Sequence, residues 1–191
     1  MKWFHDMKIS AKLLGSFGIV AFIASIIGYV GITNINSINN ADTTLYTHMT
    51  VPIGVLNKTA VSFQKIRVAY RDAILARNPA EREKYATALR DAEQSLEAAN
   101  TEFEKTISTQ AMRDAFKEFQ ATHQAFIVTE ERIVALAREN KHAEAIALLR
   151  SEGAIASANA QQQALDKLVG LKIERAKEVS EANTAMAGTA L

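Results

Sequence analysis

The sequence predicts an all-α fold in which an N-terminal transmembrane helix continues into an antiparallel up-down four-helix bundle. Three observations predict it. Residues 13–32 contain no charged side chain. The apolar residues that follow recur at alternating spacings of three and four, which is the period of one buried helix face. The 191 residues include only 8 glycines and 2 prolines and no cysteine, so helices held together by packing alone are expected.

The charge-free segment 13–32 has the length of one membrane crossing. Twenty residues at about 1.5 Å each span roughly 30 Å, the thickness of the hydrocarbon core. Lys2, Lys8 and Lys12 precede the segment, and the next basic residue after it is Lys58. The excess of basic residues on the cytoplasmic side predicts that residues 1–12 are cytoplasmic, with the rest exported from the inner (cytoplasmic) membrane into the periplasm or the extracellular space.

A cleaved signal peptide is the alternative interpretation of this segment, because such peptides also begin with basic residues. Their apolar run is about 7 to 15 residues long and ends at a small-x-small cleavage site. The run in this chain is longer, and the TNINSINN that follows offers no such site. We therefore expect an uncleaved anchor.

A heptad pattern predicts that one long helix leaves the membrane and becomes the first helix of a bundle that spans residues 33–185. Asn78-Pro79 predicts its end, because the residue before a proline is pushed out of the α conformation. Pro52 lies inside the periodic run, where a kink or a break is expected. The heptad positions are Gly28, Gly31, Ile35, Ile38, Asp42, Leu45, Met49, Pro52, Leu56, Thr59, Phe63, Ile66, Tyr70 and Ala73.

Two further amphipathic segments predict the second and third bundle helices. The second runs from about Ala80 to Ile107 and buries Tyr85, Leu89, Ala92, Leu96, Ala99 and Phe103. The third begins after an N-cap at Ser108 or Thr109 and ends near Arg138. Its core face consists of Met112, Phe116, Phe119, His123, Phe126, Ile133 and Ala137.

The last third of the chain predicts a short helix and the fourth bundle helix. His142 to Arg150 forms about two turns, closed by Glu152-Gly153. The fourth helix begins near Ala154. Residues 186–191 contain no charged side chain, so we expect them to belong to a second transmembrane segment. Six residues are too few to cross a membrane, so we expect this segment to be truncated. The apolar stripe of the fourth helix reads Ile155, Ala158, Leu165, Leu168, Ile173, Ala176 and Val179.

Composition excludes several classes of function. The 22 basic and 21 acidic residues are nearly balanced, and no concentrated basic face is present, so nucleic acid is not an expected partner. Without cysteine there is no disulfide, thiol catalysis, cysteine-ligated cluster or covalent haem. His123 occupies a core position, but no second histidine is placed to share a metal or haem, so a buried, hydrogen-bonded or partner-facing histidine is expected. With no nucleophile constellation, metal cluster or phosphate loop, we expect neither an enzyme nor a cofactor.

Two arginines are the strongest candidates for ligand contact. Arg67 and Arg71 are one helical turn apart, beside Tyr70, so both guanidinium groups can converge on one carboxylate-binding patch. The alternative is a pair of solvated arginines that form ion pairs with Asp72 or with acids on the fourth helix. Gln162, on the predicted core stripe of the fourth helix, can add hydrogen bonds to a ligand. The candidate ligand-binding residues are therefore Arg67, Arg71, Tyr70 and Gln162.

Four local sequences resemble one family. They are the basic opening MKWFHDMKISAKLLGSFG, the VPIG around Pro52, the IRVAYRDAILA of residues 66–76, and the helix-breaking ARENKHAEAIALL of residues 137–149. Together with the architecture, they resemble the four-helix-bundle sensor region of methyl-accepting chemotaxis proteins.

The resemblance implies a homodimeric receptor that binds a small molecule near the membrane-distal end of its bundles. Binding would shift one helix slightly, and the shift would reach cytoplasmic signalling partners only through a region that this sequence lacks. In aspartate-type chemoreceptors, arginines about one turn apart bind the carboxylates of the ligand across the dimer interface, and the RVAYR of this chain resembles that spacing. The ligand implied is therefore a carboxylate or an amino acid.

Two other interpretations stay open at the level of sequence. Sensor histidine kinases and nucleotide cyclases carry similar input bundles. A membrane-tethered structural helical protein without any ligand would also present charge-rich exposed faces. Dimerisation itself is suggested by the heptad stripe, which is longer than one bundle would cover, and by Gly28 and Gly31, which allow helices to approach closely in a membrane.

Overall fold

The computed structural model describes residues 8–189, which contain six α-helices and one π-helical turn. These residues divide into two compact units: one comprises residues 45–179, and the other comprises residues 8–44 and 180–189. The elements are α1 (Ile9–Leu45), the π turn (Tyr46–Thr50), α2 (Val51–Leu75), α3 (Pro79–Glu104), α4 (Gln110–Arg138), α5 (His142–Leu149) and α6 (Glu152–Thr189). Most of the predicted cytoplasmic segment 1–12 and the end of the predicted second transmembrane segment 186–191 lie outside the described residues.

Helix α1 carries the charge-free segment, and every side chain from residue 13 to residue 32 is exposed. Phe17, Phe22 and Ile27 are exposed by 69 %, 67 % and 67 %. Among the described residues, one helical stretch near the N-terminus, Ile9–Leu75, is long and apolar enough to cross a membrane. In the same unit, the amide of Asn183 donates a hydrogen bond to the carbonyl of Ala41 at 3.2 Å.

The disturbance expected at Pro52 takes the form of a π-helical turn. The N–H of Val51 bonds to the carbonyl of Tyr46, five residues back, and Pro52 then lies in the first turn of α2. A proline has no N–H group and cannot donate a backbone hydrogen bond. The wider π-helical turn places Pro52 in the first turn of α2, where N–H groups have no partner within the helix, so the lack of an N–H group costs no hydrogen bond. The helical backbone is not broken at this point.

Side-chain caps begin α3 and α4 where the sequence predicts them. The Asn78 side chain accepts a hydrogen bond from the N–H of Glu81 at 2.9 Å, and Pro79 occupies the first turn of α3. The Thr109 hydroxyl accepts one from the N–H of Met112 at 3.2 Å. Each bond satisfies one of the N–H groups that a helix start leaves without a partner. Helix α3 ends at Glu104, slightly before the predicted Ile107.

Helix α4 ends in a Schellman motif. Asn140 adopts a left-handed conformation, with φ of 61°, after the last helical turn. The N–H of Lys141 bonds to the carbonyl of Leu136 at 2.9 Å, and the N–H of Asn140 bonds to that of Ala137 at 3.1 Å. Asparagine tolerates this conformation better than most residues, which explains why the chain turns at ENKH.

The connection between α5 and α6 differs from the prediction. Gly153 does not close α5, because it lies in the first turn of α6, which begins at Glu152. The hydroxyl of Ser151 caps the new helix by accepting a hydrogen bond from the N–H of Ala154 at 3.2 Å. A serine cap therefore separates the two helices, where a glycine turn was expected.

The long helices α2, α3, α4 and α6 form the bundle within residues 45–179, in agreement with the predicted fold class. Their short connections make neighbouring helices antiparallel. One buried cluster lies at the end that carries α5 and includes Phe63, Ile66, Leu96, Phe126, Ile133 and Ala145. A second lies toward the α3–α4 connection and includes Leu56, Phe103, Phe116, Phe119, Leu165 and Leu168.

The buried face of α6 only partly matches the apolar stripe that the sequence predicts, since Leu165 and Leu168 are buried as expected but two other members are not. Ile155 and Ile173 are 51 % and 53 % exposed, whereas Gln161 and Lys172 are buried. Since each residue advances about 100° around a helix, Gln161 and Lys172 lie within about 40° of the buried Leu168, but Ile173 lies about 140° away. Helix geometry therefore carries two polar residues into the core. Burial lowers the pKa of Lys172, whose ammonium lies 3.4 Å from the carbonyl of Thr106.

Candidate functional site

A cavity of about 210 Å³ lies at the end of the bundle that carries α5. We call it the arginine cavity, because α2 contributes Arg67 and Arg71 to its wall together with Tyr70. Three of the four residues that the sequence nominates for ligand contact therefore line one space. Its other lining residues are Phe126, Thr129, Glu130 and Ile133 of α4, Leu149 of α5, and Ala154, Ile155, Ala158 and Asn159 of α6.

Arg67 is partly buried and incompletely satisfied. One terminal nitrogen donates a hydrogen bond to the Gln64 side chain at 3.3 Å, but Nε is buried without any partner. Arg71 is exposed at the rim. Neither arginine forms an ion pair with an acidic side chain in the part of the chain that the structure describes. The ion pairs with Asp72 or with acids on α6 that the alternative interpretation requires are thus not formed.

Aromatic rings hold the two guanidinium groups in place. The guanidinium carbon of Arg67 lies 5.6 Å from the ring centroid of Phe63, and that of Arg71 lies 6.0 Å from the centroid of Tyr70. Phe126 packs edge-on against Phe63, with centroids 5.1 Å apart, and lies 6.1 Å from the ring of Tyr70. Ring faces attract cations, so these buried aromatics orient both arginines without neutralising them.

Glu130 lies on the wall that α4 provides, and sequence reasoning missed it. The residue is 1 % exposed, and neither carboxyl oxygen receives a hydrogen bond from a donor in the described chain. Burial raises the pKa of Glu130 to about 9, with smaller contributions from the carboxyl group of Glu93 and then from Glu131. The contact with Glu93 joins two carboxyl groups, so it becomes a hydrogen bond only when one of them carries a proton. The raised pKa therefore favours the neutral form of the Glu130 carboxyl group.

A signal for Glu130 was present in the sequence. It lies four residues after Phe126 and three before Ile133, both of which were assigned to the core face of this helix. An acidic residue at the centre of an apolar stripe is rarely buried without a functional reason.

Gln162 is not on the core face, and that part of the prediction is wrong. Gln161 is the buried residue, and its side-chain oxygen accepts a hydrogen bond from Thr122 at 2.9 Å. Gln162 is partly exposed and does not line the arginine cavity. Hydrogen bonds nevertheless connect Gln162 to Arg67. The side-chain oxygen of Gln64 accepts a hydrogen bond from Arg67, and the Gln64 amide nitrogen donates one to the oxygen of Gln162 at 3.0 Å. The amide nitrogen of Gln162 in turn donates to Asp166 at 2.9 Å.

His123 packs against an aromatic ring in the bundle. Its imidazole stacks on Phe119, with centroids 6.1 Å apart and planes 1° apart. The ring is partly buried, and burial lowers its pKa, so the neutral form is favoured. Nδ1 is buried without a partner. Among residues 8–189, no group of three or more histidine, aspartate or glutamate side chains is arranged to hold a metal ion.

A second space, an open apolar groove of about 590 Å³, runs between α2 and α3. Its lining includes Val61, Val68 and Tyr85. Val61, Val68 and Leu75 are spaced by seven residues along α2 and are 46 %, 55 % and 70 % exposed. This row of apolar side chains lies on a different face of α2 from Phe63, Ile66 and Tyr70, so α2 presents two apolar faces.

A comparison with models of protein families identifies a family for this chain. A family model described as a four helix bundle sensory module for signal transduction matches residues 6–187. No curated protein matches the chain at a significant level.

Proposed function

Because the chain belongs to the family of four-helix-bundle sensory modules for signal transduction, we propose that it is the extracytoplasmic ligand-sensing domain of a chemoreceptor of the methyl-accepting type. Its ligand is a small molecule with at least one anionic group, which binds in the arginine cavity. The observation that carries this proposal is Arg67, which lines that cavity and whose Nε is buried without an acceptor.

The energetics of Arg67 favour an anionic ligand. A buried donor without a partner costs about 1 to 3 kcal/mol, and a carboxylate recovers this energy by accepting two parallel hydrogen bonds from the guanidinium group. Arg71 adds a second positive charge at the rim of the same cavity. A protein without a ligand gains nothing from two unpaired arginines beside one cavity, which weighs against a purely structural role.

Glutamine side chains offer a route from the ligand to α6. Arg67 bonds Gln64, Gln64 bonds Gln162 on α6, and Gln162 bonds Asp166. A ligand carboxylate competes with Gln64 for the guanidinium group of Arg67. It can thereby release the side chain of Gln64, which connects α2 to Gln162 of α6. We infer that this exchange shifts α6 slightly relative to α2, and that the shift is the signal passed toward the membrane.

Calorimetry on arginine variants tests the binding site. A thermal-shift screen of the full chain in nanodiscs with organic acids and amino acids first identifies a stabilising compound. Its affinity should fall about 10- to 100-fold in Arg67→Ala, since a charged hydrogen bond contributes about 1.5 to 3 kcal/mol, and it should also fall in Arg71→Ala.

Arg113→Ala is the matched control, because Arg113 is an exposed arginine of α4 outside the arginine cavity. Undiminished affinity in both cavity variants would rule out this site. A screen in which no compound stabilises the chain would instead favour a structural role or sensing through a separate binding protein.

The exposed row on α2 supports a homodimer. Val61, Val68 and Leu75 recur every seven residues, the spacing by which two helices pack along a common seam. In α1, a methyl group added to Gly28 or Gly31 would meet nothing within 4 Å, so both glycines leave room for a partner helix. We propose that the partner is a second copy of the chain, packed along these faces.

A charge in the exposed row tests the dimer. Val68→Glu should shift the full chain in nanodiscs or detergent from dimer toward monomer in light scattering, because it places a carboxylate in an apolar seam. Val128→Glu, on an equally exposed valine of α4, is the control and should leave the mass unchanged. Equal masses for both variants and the parent would contradict the assignment of this face.

The proposed location is the inner membrane, with the bundle on its outer side. Since the chain lacks cysteine, Ser108→Cys introduces a single thiol at an exposed position between α3 and α4. A membrane-impermeant maleimide should label this thiol in cells whose outer membrane has been permeabilised and whose inner membrane is intact. Labelling only after lysis of the cytoplasmic membrane would reverse the orientation.

A further inference from the structure

The buried apolar core of the bundle is interrupted along its length. On α4, one apolar cluster ends at Phe119 and the other begins at Phe126, so we call them the Phe119 cluster and the Phe126 cluster. Thr122 and His123 lie between them on this helix, and both are partly buried. The inward face of α4 is therefore polar between the two clusters.

The other three bundle helices also place polar side chains in the core near this boundary. On α2, Thr59 and Ser62 are buried shortly before Phe63, the first residue of that helix in the Phe126 cluster. On α3, Asn100 is 6 % exposed, and on α6 Gln161 is fully buried. Such side chains are mostly exposed in folded proteins, so their recurrence on four helices is unusual. We call this set the polar layer: Thr59, Ser62, Asn100, Thr122, His123 and Gln161.

The hydrogen bond between α4 and α6 in the polar layer can be exchanged for one within α4. The Thr122 hydroxyl lies 2.9 Å from the side-chain oxygen of Gln161, 2.9 Å from the carbonyl of Phe119 and 3.1 Å from the carbonyl of Glu118. A hydroxyl group has a single hydrogen to donate. It can therefore turn from α6 to its own helix and keep a hydrogen bond, so this bond holds α6 against α4 only weakly.

The hydrogen bond between α2 and α3 in the polar layer has the same property. The Thr59 hydroxyl lies 3.4 Å from the side-chain oxygen of Asn100 and 3.4 Å from the carbonyl of Val55, one turn earlier in α2. One hydrogen again serves an acceptor on the neighbouring helix and an acceptor on its own helix. Both of these bonds between helices thus have a replacement within a helix.

Two further groups of the polar layer are buried without a hydrogen-bond partner in the part of the chain that the structure describes. They are Nε2 of Gln161 and Nδ1 of His123. A buried polar group without a partner costs free energy, whereas a completely paired network makes a core rigid. The polar layer therefore joins the helices less firmly than either apolar cluster.

We propose that the polar layer is a conformational boundary, at which the half of the bundle that carries the arginine cavity can open or rearrange while the other half stays packed. Tightly packed apolar side chains transmit strain to their neighbours, so one continuous core would open as one unit. Two clusters separated by exchangeable hydrogen bonds can open as two units. This inference goes beyond the proposed function, because it concerns the bundle without any ligand.

An alternative role for such a layer is to fix the register of the helices, as a single polar residue does in a coiled coil. In that case the polar layer would select one alignment of the helices, but the core would still open as a single unit. The number of units that open separates the two roles.

Hydrogen exchange of the full chain in nanodiscs, followed by mass spectrometry, measures opening on each side of the polar layer. Peptides that cover residues 126–137 and 112–119 report on the two clusters from the same helix. Leu96→Ala removes a fully buried side chain from the Phe126 cluster, and Leu168→Ala removes one from the Phe119 cluster. Neither leucine belongs to α4 or lines the arginine cavity.

We expect Leu96→Ala to speed exchange in residues 126–137 by about 30-fold or more, which is the usual effect of such a cavity on an opening equilibrium. Exchange in residues 112–119 should change by less than about threefold, because that cluster stays packed. Leu168→Ala should have the reverse effect. Leu96→Val and Leu168→Val, which remove less volume, replace an alanine variant that circular dichroism shows to be unfolded.

A fourfold variant tests whether the polar layer itself makes the boundary. Apolar side chains of similar size replace both hydrogen-bonded pairs, so the two clusters should join into one core. Leu96→Ala in this background should then speed exchange by comparable factors on both sides. The four substitutions are Thr59→Val, Asn100→Leu, Thr122→Val and Gln161→Met, and the last two alone serve if the fourfold variant does not fold.

The matched control makes the same kinds of change on the surface. Thr101→Val combined with Gln124→Met alters exposed positions of α3 and α4, and it should leave the effect of Leu96→Ala confined to one side.

The outcomes of these exchange measurements are distinct. Faster exchange confined to one side of the polar layer, in either leucine variant of the parent chain, supports the boundary. Comparable acceleration on both sides in both variants overturns it and leaves the polar layer as a determinant of register. Confined acceleration that persists in the fourfold variant would overturn the assignment of the boundary to these residues. None of these results depends on a ligand, so the proposed function is tested separately.

Discussion

Replacing Glu130 with glutamine should change how the stability of the protein depends on pH. The substitution preserves shape and keeps a side chain that can donate a hydrogen bond to Glu93, but it removes the ionisable group. Glu130 has a pKa of about 9 in the folded protein and an ordinary value of 4.5 when the chain unfolds. Between these values the folded state holds one proton that the unfolded state has released.

The size of the effect follows from this difference. For an acid with a raised folded pKa, the contribution to stability is complete below pH 4.5 and is lost as the pH rises toward 9. From pH 5 to pH 8 the wild-type protein therefore loses about 4 kcal/mol of unfolding free energy, since one proton contributes about 1.36 kcal/mol per pH unit. The Glu130→Gln variant keeps this unfolding free energy, because glutamine does not ionise. Its advantage over the wild type should grow by about that amount over this interval.

Thermal unfolding of the full chain, followed by circular dichroism between pH 5 and pH 8, measures this difference. At roughly 2 to 4 °C per kcal/mol for a chain of this size, the gap in Tm should widen by about 10 °C. Subtracting the two curves removes the titrating groups that do not interact with Glu130, so the difference reports Glu130 together with its neighbours Glu93 and Glu131. A gap that stays constant across the interval would show that Glu130 is ionised or solvated, and would refute the assignment of a neutral buried acid.

Two further predictions concern the fold. Asn78→Ala should lower the unfolding free energy by about 1 kcal/mol in chemical denaturation, because it removes the side chain that caps α3. Gln94→Ala, at an exposed position in the middle of the same helix, is the control and should have little effect. Phe63→Ala should cost about 3 to 5 kcal/mol and weaken ligand binding as well, because Phe63 is fully buried and its ring lies under the guanidinium group of Arg67. A loss below about 1 kcal/mol in the same denaturation experiment would contradict the packing described.

Local chemistry explains why much of the fold was predictable. The caps at Asn78 and Thr109 and the turn at Asn140 depend on a few adjacent residues, so their positions follow from the sequence. From Met49 to Ala73, the heptad positions of the first helix are all buried. The same pattern from Gly28 to Asp42 is exposed in the single chain, since a repeat identifies an apolar seam but not the partner that covers it.

The errors arise where polarity and helix geometry disagree. In α6 the apolar Ile155 and Ile173 are exposed while Gln161 and Lys172 are buried, because Leu165 and Leu168 fix the face that points inward. Lysine can bury its aliphatic stem and keep its ammonium near a carbonyl, so polarity alone does not exclude it from a core. The assignment of Gln162 in place of Gln161 has the same origin.

The candidate site was predictable only on the helix where its residues are adjacent. Arg67, Tyr70 and Arg71 share one face of α2, which the spacing reveals. Glu130 comes from α4 and Asn159 from α6, and their approach depends on how the helices pack. Separations along the chain can be read from the sequence, but a cavity requires distances between helices.

Site-directed labelling tests the central claim, ligand binding in the arginine cavity, most directly. Asn159→Cys places the single thiol of the chain at the exposed edge of this cavity, and Ser108→Cys places it at the other end of the bundle. A compound that stabilises the chain should slow maleimide labelling at position 159 in proportion to its occupancy and leave labelling at position 108 unchanged. Unchanged labelling at position 159 with the compound bound, or equal slowing at both positions, would contradict the account.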